Sequence, residues 1–323
     1  MAPLAGSLVP GSGAAPRRSM IVMASSTTGD ATPSTALDPE SSRFAVQPVE
    51  VAHVLVPLDG SPFAERALPV ASWIATGVAA DMHLVEVVPC DAGEEESGIA
   101  VRYLDRVARS HHAAAWDVVE GNHVGATLAD AVGTAPGRLA CMATHGRGRS
   151  VPLGSVAVFL LEHTSRSVVL VGPDARVVVA ADAPIVVAVD GSTRDDVLVP
   201  VALGWADCLR RPLKVVTVAE PAPAGYREAG RFQRARGPAE PERYVQSLAA
   251  RAEAAGVVVS GNVIYDPVGV RDGLVPFLDR TAALVVLGSR HRPGLGRMVL
   301  GSHAVRIVHD APVPALVVPM PPR

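Results

Sequence analysis

Residues 53–61 read His-Val-Leu-Val-Pro-Leu-Asp-Gly-Ser, and residues 184–192 read Pro-Ile-Val-Val-Ala-Val-Asp-Gly-Ser. Each stretch is an apolar run that ends in an acid, a glycine and a serine, which is typical of a buried strand followed by a tight turn. Asp190 stands 131 positions after Asp59, a distance that matches the length of one domain. The sequence therefore predicts an internal repeat of two domains.

The rest of each half alternates short Val/Leu/Ile runs with amphipathic stretches. This alternation is typical of right-handed βαβ crossovers and predicts one doubly wound five-stranded parallel sheet in each half, the two sheets being separate. Further strands are expected at 82–88, 114–120, 138–144, 167–171, 213–219, 256–265, 283–288 and 314–318. Helices are expected at 98–110, 124–132, 153–163, 194–209, 240–255, 269–280 and 302–309.

The segment before the first strand has a different composition. Residues 1–48 are rich in Ala, Gly, Ser, Thr and Pro and lack apolar periodicity, so they are expected to form a disordered, dispensable tail. Domain 1 is then expected at 49–173, a linker at 174–182 and domain 2 at 183–323. A Pro/Gly/Arg-rich stretch between residues 220 and 239 is expected to be a mobile loop.

Composition and charge exclude several classes of protein. A net charge of −3 gives no general basic field, so nucleic acid is not an expected partner. No apolar run is long enough for a membrane span, and a cytoplasmic protein is expected. Three scattered cysteines are interpreted as reduced, buried apolar residues. Lys214 is the only lysine, which excludes a P-loop NTPase and disfavours kinase chemistry.

Two features of each half should meet at the carboxyl ends of the strands, where doubly wound sheets bind ligands. One is the acid after the first strand, Asp59 or Asp190. The other is a glycine-rich loop after the fourth strand. Residues 143–155 read Ala-Thr-His-Gly-Arg-Gly-Arg-Ser-Val-Pro-Leu-Gly-Ser, and residues 288–302 read Gly-Ser-Arg-His-Arg-Pro-Gly-Leu-Gly-Arg-Met-Val-Leu-Gly-Ser. Glycines let backbone N–H groups approach an anion closely, and the helix that follows adds its positive dipole end.

Each of these residues also has a structural interpretation. The two aspartates can simply start their turns, and Ser155 and Ser302 can simply cap their helices. His145 and His291 are expected to hydrogen-bond a phosphate or the loop rather than to act in catalysis. The loop arginines either neutralise phosphates or remain solvated, and they are Arg147, Arg149, Arg290, Arg292 and Arg297.

The strand that ends in Val-Pro-Leu-Asp-Gly-Ser, the later Thr-His-Gly-Arg-Gly and the Leu-Gly-Ser-Val together resemble a universal stress protein domain, and the second half resembles another. The resemblance covers residues 51–172 and 184–320 and implies flavodoxin-like sheets of strand order 3-2-1-4-5, which commonly pair through the fifth strand. ATP-binding members carry Gly-x2-Gly-x9-Gly-(Ser/Thr). In the first half Ala143 replaces the first glycine and the span after Gly146 is shorter. In the second half His291 replaces the middle glycine.

Carried over by position, the resemblance implies one set of contacts in each half. The adenosine contacts would be Asp59 and Asp190, with Val87 and Val218 near the base. The phosphate contacts would be Gly146, Gly154, Ser155 and Val156 in the first half, and Gly288, Gly301, Ser302 and His303 in the second.

The resemblance implies a stress-response regulator or sensor that binds ATP with Mg²⁺, forms a homodimer and carries out no fast catalysis. The alternative is a degenerate tandem that binds no nucleotide and serves as a dimerising scaffold. A Rossmann dehydrogenase is disfavoured, because Gly146-x-Gly148 and Gly294-x-Gly296 lack a third glycine and follow strand 4 rather than strand 1.

Overall fold

The computed structural model of the protein describes residues 43–146, 153–177, 180, 182–219, 241–253, 256–266, 268–291 and 298–320. The predicted loop at 220–239 and the glycine-loop residues 147–152 and 292–297 lie outside these ranges, as do residues 1–42. Statements about the structure below refer to the described residues.

The first half alternates strand and helix as the pattern predicts. Its strands are β1 (His53–Leu58), β2 (Asp81–Val88), β3 (Ala115–Glu120), β4 (Arg138–Ala143) and β5 (Val168–Val171). Its helices are a short 3₁₀ turn (Ala64–Arg66), α1 (Ala67–Val78), α2 (Glu94–His111), α3 (Val124–Gly133) and α4 (Ser155–His163). The buried Val/Leu/Ile runs form the central strands, which are covered on both faces.

The second half repeats this order. Its strands are β6 (Ile185–Ala188), β7 (Leu213–Ala219), β8 (Val259–Tyr265), β9 (Leu284–Gly288) and β12 (Ala315–Val318). Its helices are α5 (Asp195–Cys208), α6 (Pro241–Glu253), α7 (Val270–Thr281) and α8 (Ser302–Asp310). Two short strands that the sequence did not predict, β10 (Arg290–His291) and β11 (Met298–Val299), pair as an antiparallel hairpin after β9.

The strand order confirms the predicted fold class. The first half has the order β3-β2-β1-β4-β5, and the second has the equivalent order β8-β7-β6-β9-β12, so each is a five-stranded 3-2-1-4-5 sheet. Within each half all neighbouring strands are parallel. The first strand of each half lies next to the fourth, which is where the strand order reverses.

The expectation of two separate sheets is wrong, because the two halves share one ten-stranded sheet. Their fifth strands, β5 and β12, pair antiparallel with Leu170 opposite Ala315. The strands of one half therefore run opposite to those of the other, and their carboxyl ends lie at opposite edges of the sheet. Asp59 and Asp190 occupy equivalent positions within their halves but are at opposite edges of the whole sheet.

Helices cover both faces of the sheet in matching sets. One buried apolar cluster contains side chains of α1, α2, α5 and α6, and the other contains side chains of α3, α4, α7 and α8. Equivalent helices of the two halves thus lie on the same face. Each face therefore has one continuous apolar layer that crosses the junction between β5 and β12.

Part of the segment before residue 49, which was expected to be a disordered tail, packs against the rest of the chain. Phe44 is only 8% exposed and lies in the apolar cluster under α5 and α6. Its backbone N–H donates to the carbonyl of Arg251 at 3.0 Å, and the Arg251 guanidinium lies 3.9 Å from the Phe44 ring centroid. We call residues 43–49 the N-terminal strap, because they precede the first half in sequence and contact the second through Phe44, Gln47 and Val49.

A glycine on α5 makes room for the strap. A Cβ on Gly204 would clash with the carbonyl oxygen of Gln47. The backbone N–H of Gln47 in turn donates to the carbonyl of Pro200 at 3.4 Å. The strap and the β5–β12 pairing are thus two separate attachments between the halves.

Candidate functional site

In the first half, β1 delivers an acid to the carboxyl edge of the sheet. Asp59 follows the last residue of β1 and is partly buried. Its Oδ1 accepts a hydrogen bond from the Ser61 N–H at 3.0 Å, and the Ser61 hydroxyl accepts from the Ala64 N–H at 3.2 Å. Gly60 between them has φ of 76°, a left-handed conformation that favours glycine. Asp59 therefore does start a turn, in which its Oδ1 takes part.

The other oxygen of Asp59 faces the loop after β4. A Cβ on Gly146 would stand 3.3 Å from Asp59 Cγ and would clash with Oδ2. The carboxylate and the loop backbone can be this close only because residue 146 lacks a side chain. The structure thus brings together the acid and the glycine loop in the first half, as the sequence predicts.

A cavity of about 130 Å³ opens beside this pair, and we call it the cleft. Its lining is mostly apolar and comes from the ends of β1, β2 and β4 and from α3 and α4. The lining residues are Pro57, Leu58, Asp59, Ala64, Val85, Val87, Val124, Leu128, Met142, Ala143, His145, Gly146 and Val156. An apolar cavity of about 150 Å³ holds one benzene ring, so the cleft has the size and chemistry for an aromatic ring system.

Four of the site residues predicted for the first half line the cleft, and they are Asp59, Val87, Gly146 and Val156. Gly154 and Ser155 do not line it. The Gly154 N–H donates to the carbonyl of Thr144 at 2.7 Å, which folds the end of the loop back onto its start.

The interpretation of Ser155 and Ser302 as helix caps is wrong. Gly154 and Gly301 occupy the cap positions of α4 and α8, and no side chain caps either helix. Each serine is instead the first residue of its helix and is exposed. Because neither hydroxyl is used for capping, each is compatible with a contact to a ligand.

His145, which lines the cleft, also contacts Thr144 and His309. It is only 9% exposed, and its Nδ1 lies 2.9 Å from the hydroxyl of Thr144. Its ring packs edge-on against the ring of His309 in the second half, with 5.6 Å between centroids. The contact with His309 was not predicted, because the two residues lie far apart in the sequence and no local motif joins them.

The equivalent acid of the second half has a different environment. Asp190 Oδ1 accepts from the Ser192 N–H at 3.1 Å, repeating the turn of Asp59. Its Oδ2, however, lies 3.5 Å from the guanidinium of Arg194. Asp190 is also more exposed than Asp59. An arginine thus lies next to the carboxylate oxygen that would bind a ribose.

A buried acid supports the turn that holds Asp190. Asp195 is only 2% exposed and accepts hydrogen bonds from the Tyr244 hydroxyl at 2.7 Å and the Gly191 N–H at 2.8 Å. Burial raises the pKa of Asp195 to about 7, although the hydrogen bond from Tyr244 acts in the opposite direction. The corresponding turn of the first half places the apolar Ala64 after Ser61, at the start of its 3₁₀ turn.

The other residues predicted for the second half do not form one described cavity with Asp190. A Cβ on Gly288 would stand 3.1 Å from Met320 Cγ, so this glycine packs against the last described residues of the chain. Val218 lies on β7 against Gly273 of α7. Ser302 and His303 are exposed in the first turn of α8, after Gly301.

Three further features that the sequence analysis considered are a metal site, a membrane span and the cysteines. Among the described residues, no three His, Cys, Asp or Glu side chains are grouped to hold a metal ion. No helix in the described ranges is long and apolar enough to cross a membrane. The expectation that all three cysteines are buried is wrong for Cys90, which is exposed, while Cys141 is buried and Cys208 is partly exposed.

The second half of the chain matches a known protein family. Residues 183–319 match the model of the universal stress protein family, whereas no curated protein matches the sequence. This match confirms the resemblance inferred from the motifs of the second half.

Solved structures match across both halves. A universal stress protein from Archaeoglobus fulgidus DSM 4304 matches with a TM-score of 0.61 at 18% identity, over 83% of this chain and 98% of its own. A functionally unknown protein from Pseudomonas aeruginosa PAO1 has a TM-score of 0.56 at 16% identity, over 84% of this chain and 93% of its own. A putative universal stress protein from Pseudomonas aeruginosa UCBPP-PA14 has a TM-score of 0.53 at 16% identity, over 84% and 94%. At these identities the matches show the fold of the tandem.

Proposed function

We propose that the protein is a stress-response regulator or sensor that binds ATP in the cleft of its first half, and the match of residues 183–319 to the universal stress protein family model supports this proposal. The observation that carries the proposal is the juxtaposition of the Asp59 carboxylate, the Gly146 backbone and the apolar cleft at one sheet edge. A nucleoside needs an apolar slot for its base and an acceptor for its sugar hydroxyls, and the cleft supplies both.

The base occupies the apolar part of the cleft. Val85, Val87, Leu128 and Met142 line this part. The ribose hydroxyls donate to the Asp59 carboxylate, which lines the cleft and lies against the Gly146 backbone. A hydrogen bond to a charged group contributes about 1.5–3 kcal/mol.

The phosphates lie towards the loop after β4 and the first turn of α4. The amino end of a helix has free N–H groups and a positive dipole, both of which favour an anion. Val156 in that turn also lines the cleft. Mg²⁺ is expected to arrive bound to the triphosphate, because the described residues offer no cluster of three ligands.

The protein is expected not to hydrolyse ATP quickly. Lys214 is the only lysine in the chain, and it lies on β7 of the second half with its Nζ 5.5 Å from the Phe277 ring centroid. The phosphates bound in the cleft therefore have no lysine to stabilise the charge that develops during phosphoryl transfer. The protein would hold ATP as a signal rather than consume it.

The scaffold alternative applies best to the second half, where Arg194 lies beside Asp190. A homodimer, a cytoplasmic location and the absence of a nucleic-acid partner stay predictions. Because β5 and β12 already pair within the chain, a dimer would need a surface other than the fifth strands.

Nucleotide binding can be tested on the intact purified protein. Calorimetry with ATP and Mg²⁺ should give saturable heat, and ATP recovered after an hour of incubation should be intact. Absence of heat at millimolar ATP would remove the nucleotide claim and leave the scaffold function. Rapid conversion to ADP would contradict the claim that the protein does not turn ATP over.

A further inference from the structure

A second cavity, of about 190 Å³, adjoins the cleft at the carboxyl ends of β4 and β5. We call it the junction cavity, because residues of both halves line it. The side chains that matter for its chemistry are Phe63, Arg66, Thr144, His145 and His309. The motifs predicted neither this cavity nor the involvement of Arg66 and His309.

The two cavities meet at His145. Its imidazole lines both the cleft and the junction cavity, as does Ala143. His145 is buried and held by the Thr144 hydroxyl. The cleft and the junction cavity are therefore adjacent, and they share His145 and Ala143 as lining residues.

The charged groups of the two cavities are complementary to the two ends of a nucleotide. Within the described part of the chain, Asp59 is the only carboxylate that lines the cleft, and it suits the hydroxyl donors of a ribose. None of the described residues that line the junction cavity is a carboxylate, and its charged or hydrogen-bonding side chains are Arg66, Thr144, His145 and His309. Guanidinium and imidazole groups are the side chains that proteins use to hold phosphate.

The acid that follows His309 is paired with an arginine. Asp310 follows His309 and accepts from Arg271 at 2.5 Å. Its other oxygen lies 2.7 Å from His309 Nδ1. The pair with Arg271 offsets the negative charge of Asp310, and the contact with Nδ1 fixes the orientation of the His309 ring.

We propose that the junction cavity binds the terminal phosphates of the nucleotide whose base and ribose occupy the cleft, with Arg66 and His309 as the phosphate-contacting side chains. This inference rests on the proposed function of the cleft. It adds two phosphate contacts, Arg66 and His309, that do not belong to the glycine loop, and it assigns one of them to the second half of the chain.

The end of α8 lies close to the backbone that follows β5. A Cβ on Gly172 would stand 2.7 Å from the carbonyl oxygen of Val308 and 3.0 Å from that of His309. The glycine after β5 thus allows the end of α8 to reach the first-half site. α8 begins at Ser302, a residue predicted to contact phosphate in the second half, so one helix joins the two sites.

The test compares adenosine, AMP, ADP and ATP by calorimetry on the intact protein. For the wild type, affinity should rise at least about tenfold from AMP to ATP, as expected when charged groups gain hydrogen bonds to added phosphates. Equal affinities for AMP and ATP would overturn the phosphate subsite without any variant. Failure of all four ligands to bind would instead defeat the proposed function of the cleft, and the inference with it.

Two variants assign the contacts. Arg66→Gln and His309→Leu should each weaken ATP binding about tenfold or more while leaving adenosine binding unchanged. The matched controls are Arg109→Gln, an exposed arginine on α2, and His163→Leu, in the last turn of α4, and neither should change binding of any ligand. Melting temperatures verify that each variant is folded. Unchanged ATP affinity in both Arg66→Gln and His309→Leu would overturn the assignment.

Discussion

The carboxylate of Asp59 lies against the backbone of Gly146, so closely that a Cβ on the glycine would stand 3.3 Å from Asp59 Cγ. These two residues come from the ends of β1 and β4, which are adjacent strands in the sheet. Both residues line the cleft. Their contact also makes Gly146 sensitive to the smallest possible substitution.

Gly146→Ala should therefore impair nucleotide binding. The added methyl must displace either the Asp59 carboxylate or the loop backbone, and both are proposed to contact the ligand. We expect at least about a tenfold loss of ATP affinity by calorimetry, corresponding to one charged hydrogen bond. Gly133→Ala is the control, because a Cβ there meets nothing within 4 Å. Equal affinities for the two variants would show that Gly146 does not shape the site.

Stability should depend on the titration of Asp195. Burial raises its pKa in the folded protein to about 7, above the value near 4 expected in the unfolded chain. The folded state then binds the proton more tightly, so this group's contribution to stability is fully present below pH 4 and is lost as the pH rises through 7. Hydrogen bonds from Tyr244 and Gly191 to the ionised form limit the loss.

The measurement is the free energy of unfolding in urea for the wild type and for Asp195→Asn at pH values from 4 to 8. The wild type should lose on the order of 2–4 kcal/mol relative to the variant over this range. Asp91→Asn, at an exposed position, should follow the wild type. If the wild type and Asp195→Asn show the same pH dependence, the raised pKa of Asp195 is refuted.

The N-terminal strap should contribute to stability. Phe44→Ala removes a ring that packs under α5 and α6 and lies against Arg251. Large-to-small substitutions of buried aromatic residues cost about 3–5 kcal/mol, and a value near the lower end is expected for this edge position. Arg43→Ala, at the exposed neighbouring residue, should change the free energy of unfolding by less than about 0.5 kcal/mol. Equal unfolding midpoints for the two variants would contradict this role of the strap.

The strands and helices could be predicted because their signal is local. Buried runs such as residues 213–219 lie between turn residues, and that strand has the predicted bounds. The meeting of Asp59, Val87, Gly146 and Val156 was also predictable. The strand order brings Asp59 and Gly146 to one edge of the sheet, and the family resemblance implied Val87 and Val156 by position.

The remaining features depend on contacts between distant segments. Neither β5 nor β12 carries a residue that specifies the other as its partner, and only the family resemblance, which implies pairing through the fifth strand, indicated this contact. Phe44 is one aromatic residue within a segment of small and polar residues, and composition concealed its burial. His309 reaches the first-half site only because Gly172 allows α8 to approach β5.

The most direct test of the account compares the two equivalent acids. Asp59→Asn and Asp190→Asn both preserve an oxygen that can accept from the N–H of the turn serine, so the turns should persist. Asp59→Asn replaces the second oxygen with an NH₂ group, which cannot accept from a ribose hydroxyl.

Calorimetry with ATP and Mg²⁺ on the wild type and these two variants therefore tests whether the first-half cleft is the nucleotide site. The account predicts that Asp59→Asn weakens ATP binding by about tenfold or more, while Asp190→Asn binds ATP as the wild type does. A loss of binding in Asp190→Asn with normal binding in Asp59→Asn would contradict it and place the nucleotide in the second half.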